Sequence, residues 1–92
     1  PAARARRRGV TLLYFAWVRQ KIGCGEEQLA LPVNVKTVFD LVAYLAQRGA
    51  GYADAFADPK RMRVAVNQNH CGFDATLRDS DEVAFFPPVT GG

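Results

Sequence analysis

The chain has 92 residues and a mass of 10.1 kDa, which is enough for one folded domain and too little for two separate cores. Hydrophobic residues make up 49% of it and charged residues 23%, so a disordered linker protein is excluded. The net charge of +3 depends on four arginines within residues 1–8, because residues 9–92 carry eight basic and nine acidic residues. The folded body is therefore not basic, and we expect no nucleic-acid partner.

Membrane proteins and metalloproteins are excluded by what the sequence lacks. No apolar run approaches the roughly 18 residues that a membrane span needs, and the run after the arginines is too short and too aromatic for a secretory signal. Cys24, Cys71 and the single histidine, His70, are too few for a disulfide framework or a four-ligand zinc site. We expect a cytoplasmic protein with no membrane contact, no metal and no bound cofactor. Its expected segments are a flexible arginine-rich arm (1–9), a folded domain (10–87) and a flexible tail (88–92).

The first part of the folded domain predicts two strands joined by a short helix. Residues 10–15 are β-branched and aromatic, and apart from Thr11 they are apolar on both alternating faces, which is typical of a central strand. Residues 16–22 have apolar side chains four positions apart and end at Gly23, which favours a helix of two turns. Residues 26–31 stop at Pro32, as an edge strand would.

The clearest helical pattern runs over residues 37–48. Its apolar residues recur at i, i+3, i+4 and i+7 and form one stripe, which consists of Val38, Leu41, Val42 and Leu45. Thr37 predicts the N-cap, Asp40 predicts a capping box, and Gly49 is expected to stop the helix. This helix is predicted to pack on the sheet.

Three more strands are expected after this helix. Residues 49–60 predict an irregular connection, because glycine, aspartate and proline interrupt any period. Residues 63–66 and 70–73 predict a hairpin around the turn 67–69, and residues 83–86 predict a strand that is apolar on both faces.

The two most apolar strands are the first and the last of the domain. We therefore expect them to be parallel neighbours in the middle of the sheet, with the main helix across one face. The predicted fold class is α+β: a β-grasp, or ubiquitin-like, mixed sheet of about five strands with one main helix packed on one face.

The folded domain offers little catalytic chemistry. It has no Ser-His-Asp spacing, no phosphate-cradling glycine loop and no acid pair in an apolar setting. His70 and Cys71 are adjacent, but neighbours in a strand point to opposite faces and do not form a catalytic pair.

The unusual feature is the C-terminal end, where two prolines stop the last strand and Val89, Thr90, Gly91 and Gly92 follow. The last two residues have no Cβ, so the α-carboxylate of Gly92 can enter a tunnel that any side chain would block. A carboxylate needs activation, commonly as an acyl-adenylate formed with ATP, before a sulfur or amine nucleophile can take the acyl group. The alternative is a frayed terminus with no role.

Residues 81–92, Asp-Glu-Val-Ala-Phe-Phe-Pro-Pro-Val-Thr-Gly-Gly, closely resemble the C-terminus of the small, sulfur-carrier subunit of molybdopterin synthase. The segment Ala-Val-Asn-Gln at 65–68 and the segment Leu-Tyr-Phe-Ala at 13–16 are similar to other recurring segments of that family. The resemblance covers residues 10–92. The arginine-rich arm and residues 70–72 depart from the family pattern.

The resemblance implies a chemistry for Gly92. An E1-like adenylating enzyme that uses ATP would activate its carboxylate, and a sulfur donor would convert it to a thiocarboxylate. Val89, Thr90 and Gly91 would insert into the large catalytic subunit, where the sulfur passes to cyclic pyranopterin monophosphate. The chain would thus be a non-catalytic sulfur-donor subunit, and the complex a heterotetramer of two carriers on a dimer of large subunits.

The last strand also predicts where a partner docks. Strand alternation sends Phe85 and Phe86 to opposite faces, so one belongs to the core and the other can join one of Tyr14 and Phe15 on the outer face. The candidate docking residues are Phe85, Phe86, Tyr14, Phe15, Pro87 and Pro88. Three alternatives stay open: a sulfur carrier for thiazole or another thio-cofactor, a ubiquitin-like modifier joined through Gly92 to protein lysines, and a β-grasp interaction domain without terminal chemistry.

Overall fold

The computed structural model describes residues 9–88. In chain order the elements are β1 (Gly9–Tyr14), α1 (Ala16–Ile22), β2 (Glu26–Ala30), α2 (Val38–Ala46), α3 (Ala50–Ala55), a 3₁₀ turn (Pro59–Arg61), β3 (Arg63–Val66), β4 (Asn69–Cys71) and β5 (Glu82–Phe86). Every predicted strand and both predicted helices are present, with ends that differ by no more than one or two residues.

The strands form one mixed sheet in the order β2-β1-β5-β3-β4. The parallel pair of β1 and β5, in register from Thr11 opposite Glu82 to Tyr14 opposite Phe85, confirms the prediction for the two most apolar strands. The other three pairs are antiparallel, and β2 lies at an edge as expected. The predicted α+β, β-grasp arrangement is confirmed.

The core lies between the sheet and α2, because alternate strand residues and one helix stripe face each other. In β1 and β5 the positions that point towards α2 are almost fully buried, and the intervening positions keep partial exposure. The predicted helix stripe supplies the opposite wall, with Val38, Leu41, Val42 and Leu45 all buried. Burial of such side chains stabilises the fold by roughly 1.5–3 kcal/mol each, before the entropy of ordering them is subtracted.

The start of α2 is fixed by the predicted capping box. The Thr37 hydroxyl accepts a hydrogen bond from the Asp40 amide, and the Asp40 carboxylate accepts one from the Thr37 amide, both at 3.2 Å. Amide hydrogen bonds from Lys36 and Thr37 also lower the pKa of Asp40. The predicted stop at Gly49 is wrong, because α2 ends at Ala46 and Gly49 is instead the N-cap of α3.

The prediction of an irregular connection over residues 49–60 is also wrong, since this segment forms α3 and the 3₁₀ turn. Tertiary packing is the reason. Gly51 brings α3 so close to the carbonyl oxygen of Lys21 in α1 that a Cβ at this position would overlap it. Ala55 and Phe56 then enter the core at the end of α3.

Candidate functional site

The site begins with β5, which carries the chain towards its C-terminus from the middle of the sheet. This strand is hydrogen-bonded on both sides, to β1 and to β3. Pro87 and Pro88 follow it and are half-buried. The predicted insertion residues Val89, Thr90 and Gly91, and the reactive Gly92, lie outside the described residues. The structure therefore defines the root of the tail.

Two polar side chains fix the start of β5. The Asp81 carboxylate, 9% exposed, accepts hydrogen bonds from the Asn67 side-chain amide and from the Arg78 backbone amide, both at 2.8 Å. The Asn67 side chain in turn accepts the Glu82 amide at 3.0 Å. Because each buried oxygen is paired, this cluster stabilises one register of β5, and that register decides which side chains reach the surface.

Phe85 and Phe86 lie on opposite faces of the sheet, as strand alternation predicted. Phe85 is fully buried, and its ring centroid lies 6.2 Å from that of Tyr14 and 5.0 Å from that of Phe56. Phe86 points to the outer face and keeps partial exposure. The prediction that Tyr14 and Phe85 contact a partner is wrong, because both side chains are buried in the core. Both rings pack in the core beneath the end of β5, where the tail begins.

The outer face of the sheet carries a cluster of apolar side chains next to Phe86, and the register places Arg63 of β3 directly opposite Phe86 on the same face. We define the outer-face patch as Leu13, Phe15, Ala65, His70, Ala84 and Phe86. Strand register places Leu13, Ala84, Ala65 and His70 in one row across four strands. Phe15 extends β1 beyond Leu13, its amide bonds to the Phe85 carbonyl at 3.1 Å, and its side chain is 48% exposed. The patch thus adjoins the root of the tail.

His70 belongs to this patch, which the sequence analysis missed. Its ring lies edge-on to Phe86, with 5.2 Å between the centroids. Cys71 points to the other face, opposite Val64, where burial raises the pKa of its thiol. The predicted separation of His70 and Cys71 is confirmed. Counting outwards from the β3–β4 turn would have placed His70 beside Ala65, and the sequence did predict that turn.

A second polar cluster lies under the same end of the sheet and was also missed. The Glu27 carboxylate accepts hydrogen bonds from the hydroxyls of Tyr52 (2.7 Å) and Tyr14 (2.8 Å) and from the Arg48 guanidinium (3.1 Å). Burial favours the neutral acid, but these three donors outweigh it and lower the pKa of Glu27. Burial and the bond to Glu27 raise the pKa of Tyr52 to about 12. The Glu27 carboxylate therefore links β1 and β2 to Arg48, which follows α2, and to Tyr52 in α3.

Within residues 9–88, no three histidine, cysteine, aspartate or glutamate side chains lie where they could hold a metal ion together. Over the same range, no helix is long and apolar enough to cross a membrane.

The fold and its tail root define a ubiquitin-like β-grasp protein. The chain belongs to the ThiS family, whose sequence profile matches residues 12–92. It is 42% identical over 83 residues to the molybdopterin synthase sulfur carrier subunit of Escherichia coli K12, covering 90% of this chain and 99% of that protein. The resemblance found in the sequence is thereby confirmed.

Solved structures show the same fold. A putative molybdopterin converting factor, subunit 1, from Pyrococcus furiosus superposes with a TM-score of 0.72 at 32% identity, covering 89% of this chain and 99% of that one. A chain of the complex between subunits 1 and 2 of the molybdopterin-converting factor from Helicobacter pylori gives a TM-score of 0.58 at 24% identity, covering 91% of this chain and 99% of that one.

Proposed function

We propose that this chain is the sulfur carrier of a molybdopterin synthase. An E1-like enzyme forms an acyl-adenylate from the Gly92 carboxylate and ATP and releases pyrophosphate. A persulfide of a sulfurtransferase then attacks the acyl carbon and displaces AMP, and a thiol reduces the resulting acyl disulfide, which leaves a thiocarboxylate on the carrier and a disulfide on the donor side. Within the large catalytic subunit this sulfur passes to cyclic pyranopterin monophosphate, and water hydrolyses the acyl group that remains, so the carrier recovers its carboxylate.

The observation that carries this proposal is the position of the outer-face patch at the root of the tail. A carrier needs a rigid body that a partner can grip and a terminus that reaches beyond it. β5 supplies the rigid body, because it is held on both sides and its start is fixed by Asp81 and Asn67. The exposed Phe15 and the half-buried Phe86 offer an apolar anchor beside the exit of the chain.

The relatives support the same reading. The matched Escherichia coli protein is named as the sulfur carrier subunit of molybdopterin synthase, and the likeness extends over 99% of its length. The Helicobacter pylori neighbour was solved as a complex of two subunits, which supports a large-subunit partner for this chain. We extend this to a heterotetramer in which two carriers, each without catalytic residues of its own, sit on a dimer of large subunits.

The experiment is intact-mass measurement of the chain purified from its own cells, followed by reconstitution with the activating enzyme, the sulfur donor, the large subunit and the pterin precursor. We expect a fraction of the protein to carry sulfur in place of one terminal oxygen, and this fraction to be consumed when product forms. Deletion of Gly92 should abolish both. Val33→Ser is the matched control, because Val33 is 85% exposed and distant in sequence from the tail.

Two results would overturn the proposal. One is an unmodified terminus in cells that make molybdopterin, combined with no product in the reconstituted system. The other is attachment of the chain to protein lysines in place of sulfur loading, which would assign it to the modifier class.

A further inference from the structure

His70 is the one titratable residue of the outer-face patch. It lies in β4 opposite Ala65, in the row that continues through Ala84 to Leu13. Its side chain is exposed, and its ring lies edge-on to Phe86 with 5.2 Å between the centroids. A partner surface that covers the Phe86 ring therefore also removes water from the His70 ring.

Three charged residues surround His70, and none of them pairs with its ring. Arg63 lies on the same face of the neighbouring strand β3. The Asp74 carboxylate lies against Gly72, where its Oδ1 would be 2.8 Å from an added Cβ. Glu82 is at the far end of the outer face of β5, opposite β1. Within residues 9–88 the His70 ring forms no hydrogen bond or ion pair, so no carboxylate in contact would offset the burial of a proton there.

The two protonation states of a histidine differ in how easily an apolar surface can cover them. Histidine is the side chain whose charge ordinarily changes between about pH 5 and 8. The neutral imidazole needs one donor and one acceptor for its two nitrogens, and its ring packs on phenylalanine. The imidazolium loses its hydration when it is covered, and burial therefore disfavours the charged form. A partner that covers this ring binds the neutral form more tightly.

We propose that His70 makes the docking of the outer-face patch on the large subunit sensitive to pH. An apolar surface of the partner covers the neutral ring together with Phe86, and the protonated ring resists this burial. Docking is therefore strongest at neutral to alkaline pH, and it weakens as the pH falls through the range in which the ring of the free chain takes up its proton. Because it concerns the docking surface of the sulfur carrier, the inference rests on the proposed function.

The test is calorimetric titration of the full chain with the large subunit from about pH 8 to about pH 5.5, the range in which a histidine changes its charge. We expect Kd to rise by about threefold to tenfold over this range, because exclusion of a single proton changes it by at most about tenfold per pH unit. Titrations near pH 6 in two buffers that differ in heat of ionisation measure the protons exchanged on docking. The unchanged chain should release protons when it docks.

Two variants separate His70 from the titratable groups of the partner. His70→Leu and His70→Gln cannot take up a proton, and each should reduce both the rise in Kd and the release of protons. Val33→Ser, at an exposed residue outside the outer-face patch, should keep the pH dependence of the unchanged chain. Circular dichroism at each pH shows whether every chain is folded under the conditions of the titration.

Three outcomes would overturn the inference. The first is the same pH dependence in the unchanged chain and in both His70 variants, which would leave the proposed docking intact. The second is tighter docking in acid that the His70 variants lose, because the ring would then pair as a cation with a carboxylate of the partner. The third is no docking by any of the chains at any pH, which would overturn the proposed use of the outer-face patch and this inference with it.

Discussion

Phe85 and Phe86 are neighbours in sequence and differ completely in surroundings, so their truncation should have different consequences. Phe85→Ala removes a buried ring that contacts Tyr14 and Phe56, and we expect it to cost about 3–5 kcal/mol of unfolding free energy. Phe86→Ala should keep Tm nearly unchanged and weaken binding to the large subunit by about 1–2 kcal/mol. Urea unfolding and calorimetric titration measure the two effects. Equal destabilisation by both changes would remove the case for a docking role.

The same pair of residues shows what the sequence could predict of the site. Alternation alone states that one phenylalanine is core and the other outer. It does not state which, because residues 83–86 contain no polar position that marks the solvent side. In residues 10–15 only Thr11 marks that side, and alternation from Thr11 places Tyr14 inside, a signal that the prediction for Tyr14 did not use. The Tyr14 hydroxyl is satisfied inside the protein by Glu27, a partner 13 positions away in another strand.

Glu27 gives a pH dependence whose sign can be worked out. Its native pKa is lowered from the ordinary 4.5, so the unfolded state binds the proton more tightly. The stabilisation is then complete above that value and is lost as the pH falls through the native pKa. Glu27→Gln should lower the unfolding free energy by about 1–3 kcal/mol at neutral pH, because donors of Tyr14, Tyr52 or Arg48 lose their acceptor. Urea unfolding should show that the difference in unfolding free energy between the unchanged protein and Glu27→Gln becomes smaller at acid pH. A difference that does not change with pH would contradict the role given to the Glu27 carboxylate.

At the scale of elements, the contact between α1 and α3 depends on one glycine. A Cβ on Gly51 would overlap the Lys21 carbonyl oxygen, and backbone cannot yield as a side-chain end does. Gly51→Ala should therefore destabilise the protein by about 1–3 kcal/mol, as overpacking commonly does. Gly49→Ala is the matched control, since Gly49 is extended (φ 167°) and the nearest atom to its added Cβ is a Tyr52 ring carbon at 3.9 Å. Thermal unfolding of both variants tests this prediction. If the Gly51→Ala and Gly49→Ala variants had equal Tm values, α3 would be able to move away from α1 without loss of stability.

The helix α2, which the sequence predicted, and the helix α3, which it did not, are stabilised in different ways. α2 has its own periodic stripe and its own capping box, so local pattern was sufficient. α3 is six residues long, begins after a glycine and contains another, so its three alanines are too short a signal to predict a helix there. It forms because Ala55 and Phe56 are buried in the core and because Gly51 fits against α1. Contacts between segments that are far apart in the sequence cannot be predicted from the local pattern of residues.

At the scale of the whole molecule, the proposed chemistry depends on the length of chain beyond a rigid body. The body ends where β5 is hydrogen-bonded to β1 and β3, and Pro87 and Pro88 restrict the backbone directly after it. A partner that grips the outer-face patch therefore fixes the starting point of the tail. The distance from that point to the Gly92 carboxylate is then set by the number of residues between them.

This makes tail length the sharpest test of the proposed function. One extended residue spans roughly 3.3–3.6 Å, whereas reacting atoms must approach within roughly 3–3.5 Å, so an error of one residue misplaces the acyl carbon entirely. Deletion of Gly92 and addition of one residue after it should each abolish thiocarboxylate formation or sulfur transfer. Tm and co-elution with the large subunit should be unchanged, because the core and the outer-face patch are intact. Full product formation by the extended chain would show that the free Gly92 carboxylate is not the working group, and would favour a β-grasp interaction domain without terminal chemistry.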